Sequence, residues 1–199
     1  MSDVTLEMVL TADVDGLRRS AATWDRLGRL LDDHADALAA SLRRLPHVWE
    51  TGPASTAAST HCTGLRQELD GAGPPVSAIA QALAQLAAGL AALRVHAEQL
   101  VVDGAAAHVV IRPDGSMQMA AGHSDEWTAR SLSSLVWQRD EILQRAADLD
   151  ARTARIIGQH TAVAAGAPAA RVDRAAVPAT GTDPAAVKRW WDSLSFAQR

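Results

Sequence analysis

The sequence predicts an all-α fold: an elongated antiparallel helical hairpin or bundle, with one small β-hairpin and a flexible C-terminal tail. Three observations carry that expectation. Small or apolar residues recur with four-three spacing at Leu17, Ala21, Trp24, Gly28, Leu31, Ala35, Leu38, Leu42 and Leu45, the seam of a helix packed along another helix. The same spacing resumes at Ala58, Cys62, Leu65, Leu69, Ala72, Val76, Ile79, Leu83, Leu86, Leu90, Leu93, Ala97 and Leu100. Between the two runs lies Leu45-Pro46-His47-Val48-Trp49-Glu50-Thr51-Gly52-Pro53, a breaker cluster with one large aromatic. Two long helices joined by a short Pro/Gly turn make an antiparallel hairpin.

In chain order, Val4–Val9 is a short apolar piece expected as a helical turn against the bundle, and Asp13 or Asp15 can cap the first long helix. That helix is expected over about 16–45, roughly 45 Å at 1.5 Å per residue. Pro46 denies it further backbone donors, while Gly52-Pro53 supplies a flexible corner and a fixed φ suited to a first helical position. The second helix is expected over about 54–107, interrupted by Gly71-Ala72-Gly73-Pro74-Pro75. Two prolines each remove a donor and crowd the preceding turn, so a kink is expected at 71–75. The heptad phase passes through without slipping, which favours a kinked rod over a reversal into a compact four-helix bundle.

The segment from His108 to Met119 abandons the helical period. Val109-Val110-Ile111 favours extended structure, and Pro113-Asp114-Gly115 is a turn in which Pro sets φ, Asp caps locally and Gly takes positive φ. A two-stranded hairpin is therefore expected over about 108–119, and it must rest on the helices or on a partner. Ser124 starts a third long helix over about 125–157, with Asp125 and Glu126 suiting its dipole and Leu132, Leu135, Ile142, Ala146, Leu149 and Ile156 on its apolar face. Arg139 interrupts that face and is expected to reach for solvent. Residues 1–160 thus read as the helical body, 161–182 as an Ala/Pro/Gly linker and 183–199 as a tail.

Composition narrows the function classes. Net charge is −4, with 7 basic and 11 acidic residues up to Pro75 and 12 of each afterwards, so nothing electrostatic argues for nucleic acid. The acidic excess, with Asp32-Asp33 and Asp36, reads as a solvated face. There are 18 arginines and one lysine, Lys188, a bias that points to a GC-rich genome. The single cysteine, Cys62, excludes an intramolecular disulfide, and its place on the seam reads as a small core residue rather than a nucleophile. Met1–Leu10 carries Asp3 and Glu7 and has no signal-peptide pattern. Ala78–Leu93 is apolar but mostly Ala and includes Gln81 and Gln85, which reads as a core helix rather than a membrane span.

No Cys pair, His-x-x-x-His, Glu-x-x-His, Gly-x-Ser-x-Gly or phosphate-cradling Gly loop is present. The seven histidines are scattered over different elements. The expectation is no intrinsic catalysis, no metal and no cofactor.

A long helix, a Trp and Gly in the turn and an Ala-rich second helix resemble the Trp-X-Gly family of type VII secretion substrates. The turn here, Trp49-Glu50-Thr51-Gly52, is one residue longer than that family's motif. Trp49, Gly52 and Pro53 are then the turn or interaction residues, Trp49 either capping the apolar seam or presented to a partner. The family's export motif begins with tyrosine, which this chain lacks; Trp137-Gln138-Arg139-Asp140-Glu141 places an aromatic four residues before a carboxylate, spacing that also suits an ordinary surface pair. The export signal is therefore a partner's, or absent.

The order of helical hairpin, strand pair, helix and linker also resembles the N-terminal helical region of actinobacterial α/β-hydrolase-domain proteins. There a Trp-Trp motif opens the enzyme domain, and Val187-Lys188-Arg189-Trp190-Trp191-Asp192-Ser193-Leu194-Ser195 is similar to it. Asp183-Pro184 is a helix-start signal, and Ser195-Phe196-Ala197-Gln198 a capping box with only Arg199 after it. Trp190, Trp191 and Phe196 are accordingly tail docking residues, the edge of a following domain or a peptide that docks into one, or else a disordered sticky tail.

The resemblances imply a non-enzymatic helical module, secreted or targeted by a type VII route without a cleaved leader, or cytoplasmic. It pairs through its seam with a small helical protein of the same kind or with a second copy. Alternatives are an accessory region of an α/β-hydrolase and an immunity or chaperone protein that sequesters a toxin.

Overall fold

A computed structural model describes residues 4–49, 52–122 and 125–166. The elements are α1 (Leu6–Thr11), α2 (Val14–Val48), α3 (Pro53–Ala106), β1 (Val109–Ile111), β2 (Met117–Met119) and α4 (Glu126–Gly166). The fold is all-α with one small antiparallel β-hairpin. Backbone contacts divide the chain into two units, the helical body Met1–His160 and the segment Thr161–Arg199.

Asp13 caps α2, its carboxylate accepting from the Gly16 N–H at 2.8 Å, so the helix starts at Val14, two residues before the sequence-based boundary. It also runs three residues past Leu45, through Pro46. A proline in the last turn removes one donor without breaking the helix, and the Trp49 N–H still reaches the Leu45 carbonyl at 2.9 Å.

α3 is one helix of 54 residues, about 80 Å long at 1.5 Å per residue. Gly71–Pro75 lies within it, so the chain continues there rather than reversing.

α2 lies antiparallel to α3. A Cβ added at Gly28 would stand 3.4 Å from Ser77 Oγ, and one at Gly73 would stand 3.2 Å from Asp32 Oδ1. Both pairings add to 105, which fixes the register of the two helices. The residues α2 buries are small: Val14, Ala21, Gly28 and Ala35, spaced by seven, then Ala39. The leucines of the expected seam, Leu31, Leu38, Leu42 and Leu45, are only half-buried. Small side chains between the axes let the backbones approach closely, and the longer ones are displaced to the flanks.

The hydrophobic core sits at the other end of α3, where Leu93, Ala97 and Leu100 meet Leu6 and Val9 of α1, Val109 of β1, and Leu135, Ile142 and Ala146 of α4. α4 comes close enough that a Cβ at Gly89 would stand 2.5 Å from Leu149 Cδ1.

The β-hairpin pairs Val109 with Met119, Val110 with Gln118 and Ile111 with Met117. Its turn has the expected chemistry: Gly115 has φ +85°, and the Asp114 carboxylate accepts from the Ser116 N–H at 2.8 Å. The hairpin rests on the helices, with Val109 in the core and Ile111 packed against it.

Two expectations for α4 are corrected. Asp125, expected in the first turn, caps it, its carboxylate oxygens accepting from the Thr128 N–H at 2.8 Å and hydroxyl at 3.1 Å. The helix also extends to Gly166 rather than ending near 157, taking in the first residues of the expected linker. Thr161-Ala162-Val163-Ala164-Ala165 is Ala-rich, and Ala has the highest helix propensity.

Arg139 is a third correction. Its side chain is only 21% exposed, because the guanidinium donates to the Gly115 carbonyl at 2.9 Å and to the neighbouring Asp140 carboxylate at 2.7 Å. It ties α4 to the turn of the β-hairpin instead of extending into solvent.

Candidate interaction surface

The α2–α3 turn is built by backbone chemistry. Trp49 caps α2 with φ −147°, its carbonyl accepts from Ser55 Oγ at 3.0 Å, and the Gly52 carbonyl accepts from the Thr56 N–H at 3.1 Å. Gly52 has φ +133°, a conformation an L side chain rarely adopts, and nothing lies within 4 Å of where its Cβ would be. Backbone conformation, not crowding, calls for glycine there. Pro53 occupies the first turn of α3, where its missing donor costs nothing. Gly52 and Pro53 therefore do what their residue types imply.

Trp49 is 45% exposed, and Val48 beside it is 81% exposed.

That exposure belongs to a larger feature. No described residue of α2 after Ala39 is buried, and none of α3 before Gly73. Yet the heptad seam runs on through it, with Leu42 and Leu45 on one helix and Leu65 and Leu69 on the other. Leu65 is 40% exposed and Leu27, further back on α2, is 41% exposed. Two helices bury only the side chains directly between them, and full burial needs a third or fourth helix in the groove they form. On the same heptad stripe of α3, Leu93, Ala97 and Leu100 share their cluster with α4 and are buried. The stripe is thus covered at one end and open at the other. Cys62, expected as a core residue, lies in the open part and is half-buried.

A second concavity, of about 230 Å³, lies between α3 and α4. Leu93 and Ile142 are at its base with His96, Gln99, Gln138, Glu141 and Arg145 around them. Glu141 is ion-paired with Arg145 at 2.5 Å, one turn along the same helix, and both are solvent-accessible. Such a pair contributes little, and it occupies the carboxylate that the Trp137-to-Glu141 spacing singled out. Trp137 itself points to solvent, 66% exposed. No group of three or more His, Cys, Asp or Glu side chains fit to hold a metal occurs among the described residues.

Trp190, Trp191 and Phe196, the expected tail docking residues, lie outside the described residues, as do Glu50, Thr51 and Ser124.

α3 contains an 18-residue window of mean hydropathy 1.7, long and apolar enough to cross a membrane, with 28% of that window buried. Much of that hydropathy comes from alanine in the stretch that packs against α2 and α4.

No protein-family model, curated protein or solved structure matches the chain.

Proposed function

We propose that this protein is a non-enzymatic helical interaction module of the Trp-X-Gly kind, associated with type VII secretion as a substrate or targeting domain. The open end of its α2–α3 hairpin is the surface that pairs with a helical partner. One observation carries the reading: a heptad seam in which nothing is buried in α2 after Ala39 or in α3 before Gly73. A seam of leucines left half-covered by its own chain is a groove of the right width for further helices. The hairpin topology and the Trp49/Gly52 turn support the family resemblance. Export would then take the type VII route, without a cleaved leader.

The test is pairing measured by calorimetry and light scattering, first with the chain alone and then with small helical-hairpin proteins of the Trp-X-Gly kind. Pairing that disappears in Leu38→Glu and Leu69→Glu, with helicity retained by circular dichroism, is the expected result. Pairing that survives both substitutions but is lost when the α3–α4 concavity is altered, as in Ile142→Glu, would overturn the assignment of the surface. For export, the expected result is secretion of the tagged chain from a host with an intact type VII system and retention when its ATPase is inactivated.

A further inference from the structure

α1 has six residues, and helices shorter than about 12–15 residues are marginal in water on their own. It is helical only while docked. Leu6 and Val9, each 1% exposed, enter the cluster shared by α3, β1 and α4, while Met8 on the other side is 56% exposed. Burial of two side chains is set against the ordering of the whole segment that carries them, and the two terms are of similar size. The docked state is therefore close to balance with an undocked one.

Two polar ties hold the ends of α1. At its start the Glu7 N–H donates to the Pro113 carbonyl, in the turn of the β-hairpin, at 3.0 Å. At its end the Arg94 guanidinium of α3 donates to the Ala12 carbonyl. The second tie is incomplete. Arg94 Nε is buried without a hydrogen-bond acceptor, and Arg94 has no ion pair among the described residues. A buried N–H left unpaired on a charged group is a cost of the closed state that water removes once the segment lifts. The Ala12 carbonyl keeps a donor when Arg94 lets go, because the Val14 N–H also reaches it at 2.9 Å.

The rest of the body is built without α1. α2 has its own cap: the Asp13 carboxylate accepts from the Gly16 N–H at 2.8 Å, and the Asp13 carbonyl from the Leu17 N–H at 3.1 Å. Ala12 is extended, with φ −52° and ψ 131°, so rotation at Ala12-Asp13 frees α1 and leaves α2 wound. Leu93 and Leu100 of α3, Val109 of β1, and Leu135 and Ile142 of α4 stay clustered without it.

We propose that α1 is a strap that opens as one unit about Ala12-Asp13 while α2, α3, the β-hairpin and α4 remain folded, exposing apolar surface of the body that the closed strap hides. The strap lies at the opposite end of α3 from the α2–α3 turn and works whether or not the open hairpin end is paired. Arg94 is its positioning residue, holding the hinge closed with a bond that the unpaired Nε keeps from being strong.

The experiment is thiol labelling of the full chain in a Cys62→Ser background, with one cysteine at a time at Leu6, Val9, Val14 or Ala97, over a range of urea below the unfolding transition. Leu6→Cys and Val9→Cys are expected to label at similar rates, at least about 100-fold faster than Ala97→Cys and with little dependence on urea, the signature of a local opening. Val14→Cys, just past the hinge and 6% exposed, is expected to label as slowly as Ala97→Cys. Amide exchange of the unmodified chain checks the result without any substitution in the strap: amides of 9–11 should exchange through the small opening, while Gly16 and Leu17 stay protected with α2. Labelling at 6 and 9 with the rate and urea dependence of position 97 would show that α1 leaves only when the body unfolds, and would overturn the proposal. Labelling at 6 far ahead of 9 would mean fraying from the chain start, and exchange of Gly16 and Leu17 together with 9–11 would mean that α2 unwinds; either contradicts a strap that opens as a unit.

Discussion

Arg139 of α4 donates a hydrogen bond to the Gly115 carbonyl at 2.9 Å and so fastens the turn of the β-hairpin to the helix after it. The hairpin is two three-residue strands, which have no stability of their own. Arg139→Ala is expected to destabilise the protein by about 1.5–3 kcal/mol, the range for a hydrogen bond involving a charged group. Urea unfolding measures the loss, and faster amide exchange at Ile111, Arg112 and Met117 would localise it to the hairpin. An unchanged midpoint would mean that the hairpin is held by Val109 and Ile111 alone.

The core and the open end are expected to respond differently to the same truncation. Leu100 is 1% exposed and lies in the cluster shared by α1, α3, β1 and α4, so Leu100→Ala should cost about 2–5 kcal/mol. Leu65 sits on the same stripe of the same helix but is 40% exposed, and Leu65→Ala should cost about 1 kcal/mol or less in the unpaired chain. Chemical denaturation of both variants at low protein concentration makes the comparison. Equal losses would show that the hairpin end is as fully packed as the core.

Trp49→Ala obeys the same logic. A buried aromatic would cost about 3–5 kcal/mol on truncation. A ring 45% exposed at the helix end should cost about 1–2 kcal/mol in the unpaired chain, with the larger effect falling on pairing. A thermal melt and a light-scattering titration of the same variant separate the two effects.

Two aspartates give the stability an acid limb. The Ser116 side chain, then its backbone N–H, holds the Asp114 carboxyl below the ordinary value of 3.8, and the Thr128 N–H does the same for Asp125. A carboxyl whose native pKa is depressed adds stability that is complete above the unfolded value and is lost as pH falls through the native one. Melting temperature is therefore expected to show no pH dependence from these groups near neutrality and to decline from about pH 4 downward. Asp125→Asn, which still caps a helix, should flatten part of that decline. If the acid limb is unchanged in Asp125→Asn and Asp114→Asn together, other carboxylates cause it.

Much of the fold was legible because heptad spacing and turn chemistry are local signals. Leu31, Leu38, Leu65 and Leu69 announce a helix seam, and Pro113-Asp114-Gly115 announces a turn, without knowledge of anything distant in the chain. Arg139 was not legible, because its partner is a backbone carbonyl 24 residues away on another element, and a charge within an apolar pattern reads as solvent-seeking. Asp125 was placed in the first turn rather than at the cap because Ser124 is equally good capping chemistry. The signal that separates them is Thr128, three residues after Asp125 and fully buried. That the leucines of α2 flank the α3 contact while Ala21, Gly28 and Ala35 fill it could not be read from spacing alone. Ala21, Gly28 and Ala35 hold one row of the seam and Trp24, Leu31, Leu38 and Leu45 the other, but which row faces α3 is set by how closely the two helices approach. The open end of the hairpin was hidden for a related reason: the stripe is continuous in sequence, and where α4 covers it is a tertiary fact.

Hydrogen exchange of the full chain at low and high protein concentration tests the central claim most directly. At low concentration, amides in 40–48 and 54–72 should exchange faster than those around Leu93–Leu100. On pairing, with a helical-hairpin partner or at high concentration, protection should rise in those two segments, with the α3–α4 concavity unchanged. Protection that rises instead over 126–145, or nowhere at any concentration or with any helical-hairpin partner, would contradict the assignment of the open hairpin end as the pairing surface.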